Sequence, residues 1–456
     1  MHAHSPRSFP TALLIVAMGL AGCLIGIYAT LFSSQPLLLV GPPLLIPLLV
    51  MLWIRPVWLF MGLLLFRCAL DPALESARFS NSVGMGAALN VLIVACALVW
   101  LIQSTGRLAG PIVRLWAAPL AVMTLGVFLA PDTTPALKKL MAFVSYGAVF
   151  AMGYWCFLEK RLSTLLKVLV CSAIIPVLAG LLQMLTGSLG TEGRMSGTFT
   201  HPNIFAFYCL LILIVITARP WLSVDPSTQQ SGQDGWRKVE LWGLVPALVL
   251  CVLMTQTRSA WLALVLAALI YGLTVSRWVL SGLAVAVLIA AFTPAVQDRV
   301  MDLFSGNEVV QYAKLNSFAW RQYIWESGLN WMSPARQWLG YGLGGFMFYS
   351  PDFFPLSGGR QFGAHNVFVE RYFDGGVLAV AVFGLFVGAQ LLAACRLWQH
   401  APRLGMVYLA LLLSYLTLNT SDNVVDYLAY NWYFWALAGA FYALAQQAKA
   451  DLVRPQ

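Results

Sequence analysis

Runs of roughly 17–22 apolar residues follow one another along this chain, from Thr11 to Ala448. A run of that length can lie in hydrocarbon only as a helix, because each backbone N–H and C=O must be satisfied within the segment. The runs are continuous and do not alternate, which argues against a membrane β-barrel. The 456 residues are 60% hydrophobic and only 10% charged, so the expected fold is an all-α polytopic membrane protein. Fourteen spans can be drawn, at 11–32, 36–54, 56–70, 83–103, 112–130, 138–158, 165–186, 202–218, 239–255, 258–274, 278–293, 366–395, 403–419 and 430–448. The second and third are short and proline-rich. Taken as one broken unit they lower the count, so about 12–14 transmembrane helices are expected. The first run, Thr11 to Phe32, is long enough to span and is followed at once by another, which argues against a cleaved signal.

Charge sets the orientation. With the N-terminus in the cytoplasm, fifteen Lys and Arg fall in inside connections, among them Arg55, Lys160, Arg161, Arg277 and Arg403. Six fall in short outside segments: Arg67, Arg78, Lys138, Lys139, Arg194 and Arg258. That excess favours both termini in the cytoplasm. The net charge of +9 is partly this topology signal, and with no soluble basic domain it does not imply nucleic acid. The eight cysteines all lie in or beside apolar runs and form no CxxC pair, so they read as small core residues.

Two polar connections interrupt the pattern. The stretch 219–238 is rich in Ser, Gln, Asp and Gly and reads as a cytoplasmic linker. The stretch 294–365 faces outside and holds Trp320, Trp325, Trp331 and Trp338. Within it, 310–332 reads as an amphipathic helix, and Gly340-Tyr341-Gly342-Leu343-Gly344-Gly345 as a turn-rich element. A loop this long and aromatic is expected to be ordered and functional. The chain thus divides into N-terminal helices at 1–293, a large extracytoplasmic loop at 294–365, and C-terminal helices at 366–456.

Polar residues on the outer side are the candidates for chemistry. Arg194 and Arg258 each sit where a helix meets the interface. They either snorkel to lipid headgroups or converge on phosphate, whose oxygens match the guanidinium fork. The turn around Gly197-Thr198, leading to Pro202-Asn203, would aim amides and the positive end of a helix at the same anion. Of five histidines only His201 and His365 face outside. His365 closes the large loop beside Asn366, where an imidazole suits proton transfer; His201 reads as a helix-start residue contacting its own turn. No ligand spacing supports a metal site. Glu370 and Asp374 share a helical face, with Arg371 spaced to pair with Asp374. Asp422 and Asp426 lie in the last outside loop, where they either meet sugar hydroxyls or simply solvate a connector. The loop tryptophans either stack on sugars or form a small core.

Several of these stretches carry a resemblance. Arg194 through Asn203 resembles the R-x-x-G-T-F-x-x-P-N element of the O-antigen ligase and Wzy-type polymerase superfamily. Thr257-Arg258-Ser259 is similar to its S/T-R-S/G element. Arg321, Trp325 and the 340–344 glycines resemble its R…W…G-x-G-x-G pattern, and His365-Asn366 with Asp374-Gly375-Gly376 its H-N…E/D-x-G element. The resemblance covers about residues 165–395. It implies a GT-C-like, inverting glycosyltransferase of the bacterial inner membrane, working at the periplasmic face without metal or cofactor. Its donor would be an undecaprenyl-pyrophosphate-linked glycan. The acceptor would be a repeat unit for a polymerase or lipid A-core for a ligase, with membrane lipid and a chain-length regulator as further partners. Arg194 and Arg258 match the pyrophosphate-binding positions and His365 the residue that activates the acceptor. Arg321, Trp325, Glu370, Asp374 and Asp422 are the candidates for glycan or acceptor contacts. The region after 395, with Asp422-Asn423 and Asn431 to Trp435, resembles exopolysaccharide polymerases more than ligases, so the first expectation is a polymerase of O-antigen or exopolysaccharide repeat units and the alternative is an O-antigen ligase. A transporter or flippase of lipid-linked or anionic solutes is the rival class. It accounts for the spans and the interfacial arginines, but less well for a long outside loop closed by a histidine.

Overall fold

The computed structural model describes residues 47–71, 74, 85–104, 110–190, 193–222, 237–301 and 315–453. The expected first span, most of the second, the linker residues 223–236, the loop residues 302–314, and His2, His4, Cys23, Arg78 and Glu192 lie outside them. The chain divides into two units, Met1–Phe60 and Met61–Gln456. Of the first, residues 47–60 are described and carry a helical stretch at 47–54. All that follows concerns the second.

The described residues are helical with no strand, and the chain is an all-α polytopic membrane protein. Helix α1, Pro56–Arg67, is followed by α2 (Met85–Gln103), α3 (Gly110–Phe128) and α4 (Thr133–Leu158). Next come α5 (Leu162–Cys171), α6 (Ile174–Thr186), α7 (Pro202–Leu222), α8 (Val245–Met254), α9 (Arg258–Thr274) and α10 (Arg277–Ala291). The loop region holds α11 (Pro294–Met301), α12 (Ser317–Trp331) and α13 (Gly345–Phe353), and the chain ends with α14 (Val367–His400), α15 (Pro402–Asn419) and α16 (Leu428–Val453). Five stretches are long and apolar enough to cross a membrane: Gly86–Gln103, Gly110–Phe128, Thr133–Leu158, Leu162–Thr186 and Val367–His400. Shorter apolar helices include Pro56–Arg67, Arg258–Thr274 and Arg277–Ala291.

From the third onward the expected spans reappear as helices among the described residues, with two breaks that hydropathy does not register. The run 165–186 is split between α5 and α6 at Ser172 and Ala173. Pro176, early in α6, has no N–H to continue the ladder. The long α14 is interrupted at Gly376, whose φ of 62° and ψ of −161° leave the helical region. The Val377 and Leu378 amides donate instead to the Gln337 and Trp338 carbonyls, so the large loop plugs the break and satisfies its backbone.

The centre of the bundle is α4 against α16. A Cβ on Gly153 would lie 1.9 Å from the Ala436 carbonyl oxygen, and one on Gly439 would lie 2.0 Å from that of Phe150. The two backbones touch, which small residues permit in membranes. Above this pair, the loop forms a small core of Ile324, Met332, Phe346, Phe353, Phe354, Ala364 and Phe373. Trp320 and Trp325 pack on it, and Trp331 stacks on Phe373 at 6.1 Å. Three of the four loop tryptophans thus build a core, while Trp338 remains 70% exposed. The helix expected over 310–332 is α12, capped by Asn316, which accepts from the Phe318 and Ala319 amides. Among the described cysteines, Cys68, Cys96, Cys156, Cys209 and Cys251 are buried, Cys171 is half-buried, and Cys395 is exposed.

Candidate functional site

One cavity of about 1440 Å³ gathers most of the residues singled out from the sequence. Arg194, Arg258, Arg321, His365 and Asp422 all line it, as do His201 and Asp426. They come from five separate stretches of chain, so the cavity is a product of the tertiary fold.

Arg194 precedes α7 on a loop clamped by Gln183. The Gln183 Oε1 accepts from the Ser196 and Gly197 amides, and its Nε2 donates to the Gly197 carbonyl. These two amides are therefore engaged within the protein, which corrects the expectation that the turn presents them to an anion. Gly197 sits at φ +58°, and a Cβ there would lie 2.8 Å from the Pro176 carbonyl oxygen. The Arg194 guanidinium donates to the Thr255 carbonyl at 2.7 Å, to Asn203 Oδ1 at 2.6 Å and to Thr257 Oγ1 at 3.0 Å. These three contacts fix the guanidinium in place. Arg258 opens α9 directly after Thr257. His201 accepts the Asn203 amide at 3.1 Å, as a helix-start residue would.

His365 is reached through Asn203. The Asn203 Nδ2 donates to Asp422 Oδ2 at 2.8 Å, and His365 Nδ1 lies 3.1 Å from Asp422 Oδ1. Burial alone would raise the Asp422 carboxyl. The hydrogen bond and charge of His365, with donors from Tyr427 and Asn203, outweigh that and hold it well below the usual carboxylate range. An ionised carboxylate only accepts, so His365 Nδ1 carries the proton and Nε2 is left as an acceptor. The Asp422 side chain is 3% exposed and that of His365 is 42% exposed, so a buried anion orients a ring that reaches solvent. His365 itself has a left-handed φ of 50°, rare for a side-chain-bearing residue. Asn366 then caps α14 by accepting from the Phe368 and Val369 amides, and donates to the Thr420 carbonyl. The Trp325 indole donates to the Ala364 carbonyl at 2.5 Å, securing the residue before His365 from the other side.

Trp325, Glu370 and Asp374 are not among the residues lining the cavity. Asp374 accepts the Gly344 amide at 2.7 Å and the Phe346 amide at 2.8 Å, tying the glycine turn to α14. The spacing-based pairing of Arg371 with Asp374 does not form; Arg371 turns to Met123 Sδ at 2.7 Å. Glu370 meets Lys139 at 2.6 Å and accepts from Asn423, and Lys139 also meets Asp426 at 3.3 Å. Glu370 is buried, whereas Asp426 is exposed. Lys139, Asn203, Thr257 and Asn423 were not singled out from the sequence as members of this network. Single amides, hydroxyls and lysines carry no local signal, and their partners lie far away in the chain. Arg321 is half-buried on the cavity wall and makes no hydrogen bond or ion pair among the described residues.

Residues 243–384 match a family model described as O-antigen ligase. The match agrees with the superfamily that the motifs resemble. The matched segment contains Arg258, Arg321 and His365, while Arg194, Asn203 and Asp422 flank it in sequence and join it at the cavity. No curated protein matches the chain.

Proposed function

We propose that the protein transfers a glycan from undecaprenyl pyrophosphate to a sugar hydroxyl at the periplasmic face of the inner membrane. The observation that carries this reading is the chain Arg194–Asn203–Asp422–His365, which links a guanidinium to an oriented imidazole within one cavity. The acceptor O–H attacks the anomeric carbon as its proton passes to His365 Nε2. The bond from that carbon to the pyrophosphate oxygen breaks on the opposite face, which inverts the centre. Negative charge grows on the leaving pyrophosphate, where Arg194 and Arg258 stabilise it more in the transition state than in the ground state. Asp422 steadies the imidazolium that forms. The step requires no metal or cofactor. Arg321 reaches the glycan, whereas Trp325, Glu370 and Asp374 support the walls that hold the contact residues.

The acceptor distinguishes two members of the superfamily. The match to an O-antigen ligase model favours lipid A-core. The segment that resembles polymerases, Asn431 to Trp435, has Trp432, Tyr433 and Phe434 fully buried, so core packing accounts for it. Ligation is therefore the first reading and repeat-unit polymerisation the second. The division into helices 1–293, a periplasmic loop 294–365 and helices 366–456, with both termini in the cytoplasm, belongs to the same proposal.

His365→Ala tests it. The ring sits at a polar mouth, so the variant should fold, insert and still bind the donor lipid. Transfer should fall by roughly 10²–10⁴-fold, as for a lost general base. Undiminished transfer by the folded variant would remove His365 from its role, and loss of donor binding would move it into the phosphate site.

A further inference from the structure

The cavity is larger than the roughly 300–1,000 Å³ typical of a site for one small molecule. The arginines and His365 occupy only part of its wall. Another part is built from the end of α1, from α2 and from α4, and nothing in the mechanism above uses it. This wall carries Arg67, Asp71 and Asn90, each at least nine-tenths buried, with Thr134 and the exposed Lys138 nearer the surface.

Among the described residues, two polar atoms of this wall have no hydrogen-bond partner: the Nε of Arg67 and the Oδ1 of Asn90. A buried polar group left unsatisfied costs about 1–3 kcal/mol, so such atoms mark a place where something else completes the bonding. The charge pattern says what kind of group that is. The Arg67 Nη1 meets Asp71 at 2.5 Å, and its guanidinium lies 5.8 Å from the Trp432 ring centre. Arg67 is thus neutralised by a carboxylate. A phosphate would meet Asp71 as a like charge. Sugar hydroxyls both donate and accept, so two neighbouring hydroxyls can accept from the Arg67 donor and donate to the Asn90 oxygen and the Asp71 carboxylate.

The wall also borders both the base and the arginines. The turn that carries Asp422 is tied to Asn203 of the arginine wall at one end. At its other end Asp426 is tied to Lys139 of α4, the helix that contributes Thr134 and Lys138. Thr198 of the arginine loop donates to the Cys68 carbonyl beside Arg67, so a second sugar on this wall would share the cavity with His365 and the arginines.

We propose that Arg67, Asp71 and Asn90 bind the hydroxyls of the acceptor sugar, next to the one that attacks. The inference rests on the transferase reading above. It holds for an acceptor on lipid A-core and for one on a lipid-linked repeat unit.

The test is steady-state kinetics of the full-length protein in lipid nanodiscs, with donor lipid and each of the two acceptor lipids extracted from source cells deleted for this gene. Asn90→Ala removes an unpartnered buried polar group, so folding should be kept or improved, and thermal unfolding checks this. With the acceptor that the wild type uses, its KM should rise about 10-fold while donor affinity holds, the loss expected when a ligand hydroxyl loses its partner. Asp71→Asn, which keeps the shape but unbalances the charge of Arg67, should also raise the acceptor KM. Unchanged acceptor KM in both folded variants would overturn the assignment and leave the transferase reading standing. A raised KM for the donor alone would give this wall to the donor glycan and equally overturn it. Absence of transfer by the wild type to either acceptor would overturn both readings together.

Discussion

Asn203 accepts from Arg194 and Thr257 through one end of its amide and donates to Asp422 through the other. These partners lie 9, 54 and 219 positions away in the chain, so no local pattern announces the role. Arg194, Arg258 and His365 were legible because a charge or an imidazole at an apolar boundary stands out, and the same boundary marked Asp422. The partners that fix their geometry were not legible. Nor was the fate of Asp374: helical spacing offered it Arg371, but two backbone amides of the glycine turn lie closer and satisfy it. Asp422 yields the sharpest prediction at this scale. Its carboxyl is held low, so it stays ionised well below neutral pH, and its contribution to stability is complete above the ordinary carboxylate value and lost only as pH falls towards the folded one. Asp422→Asn keeps the shape but removes the charged acceptor that orients Nδ1 of His365, so transfer should fall while donor binding holds. Undiminished transfer by the folded variant would show that the carboxylate does not act on the ring.

The α4–α16 contact explains two glycines that no motif singles out. With carbonyl oxygens about 2 Å from where each Cβ would sit, Gly153→Leu must force the helices apart. It should cost about 1–3 kcal/mol or more, read as a lower thermal unfolding temperature in detergent. Gly388→Ala in α14, which has nothing within 4 Å, should leave that temperature unchanged or raised. The motif glycines have a similar cause: at φ +67° and +90°, Gly340 and Gly342 lie against the backbones of Asp374 and Leu129. Lys139 clamps three elements by meeting Glu370 of α14 and Asp426 of the last turn. Lys139→Met strands the buried Glu370 carboxylate and should destabilise the protein by about 3–5 kcal/mol. Adding Glu370→Gln should recover part of that loss. A double variant no more stable than the single would show that the clamp is not electrostatic.

At the scale of the whole molecule, hydropathy located the helices within a few residues, since lipid demands continuous apolar length. It missed the breaks at Ser172–Ala173 and Gly376 because satisfying a broken backbone depends on distant segments. The order of the motifs was legible; their meeting in one cavity required the fold. That cavity brings together the arginines, His365 and the polar wall of Arg67, Asp71 and Asn90, which on the proposed reading joins two substrates and does not pass one through. The most direct measurement reconstitutes the wild-type protein in liposomes with donor lipid and acceptor lipid, and follows both lipids by mass spectrometry. The account predicts an acceptor heavier by the mass of the glycan, with one undecaprenyl pyrophosphate released for each product formed. Donor lipid that crosses the bilayer unchanged, with no glycosylated acceptor, would contradict it and favour a transporter.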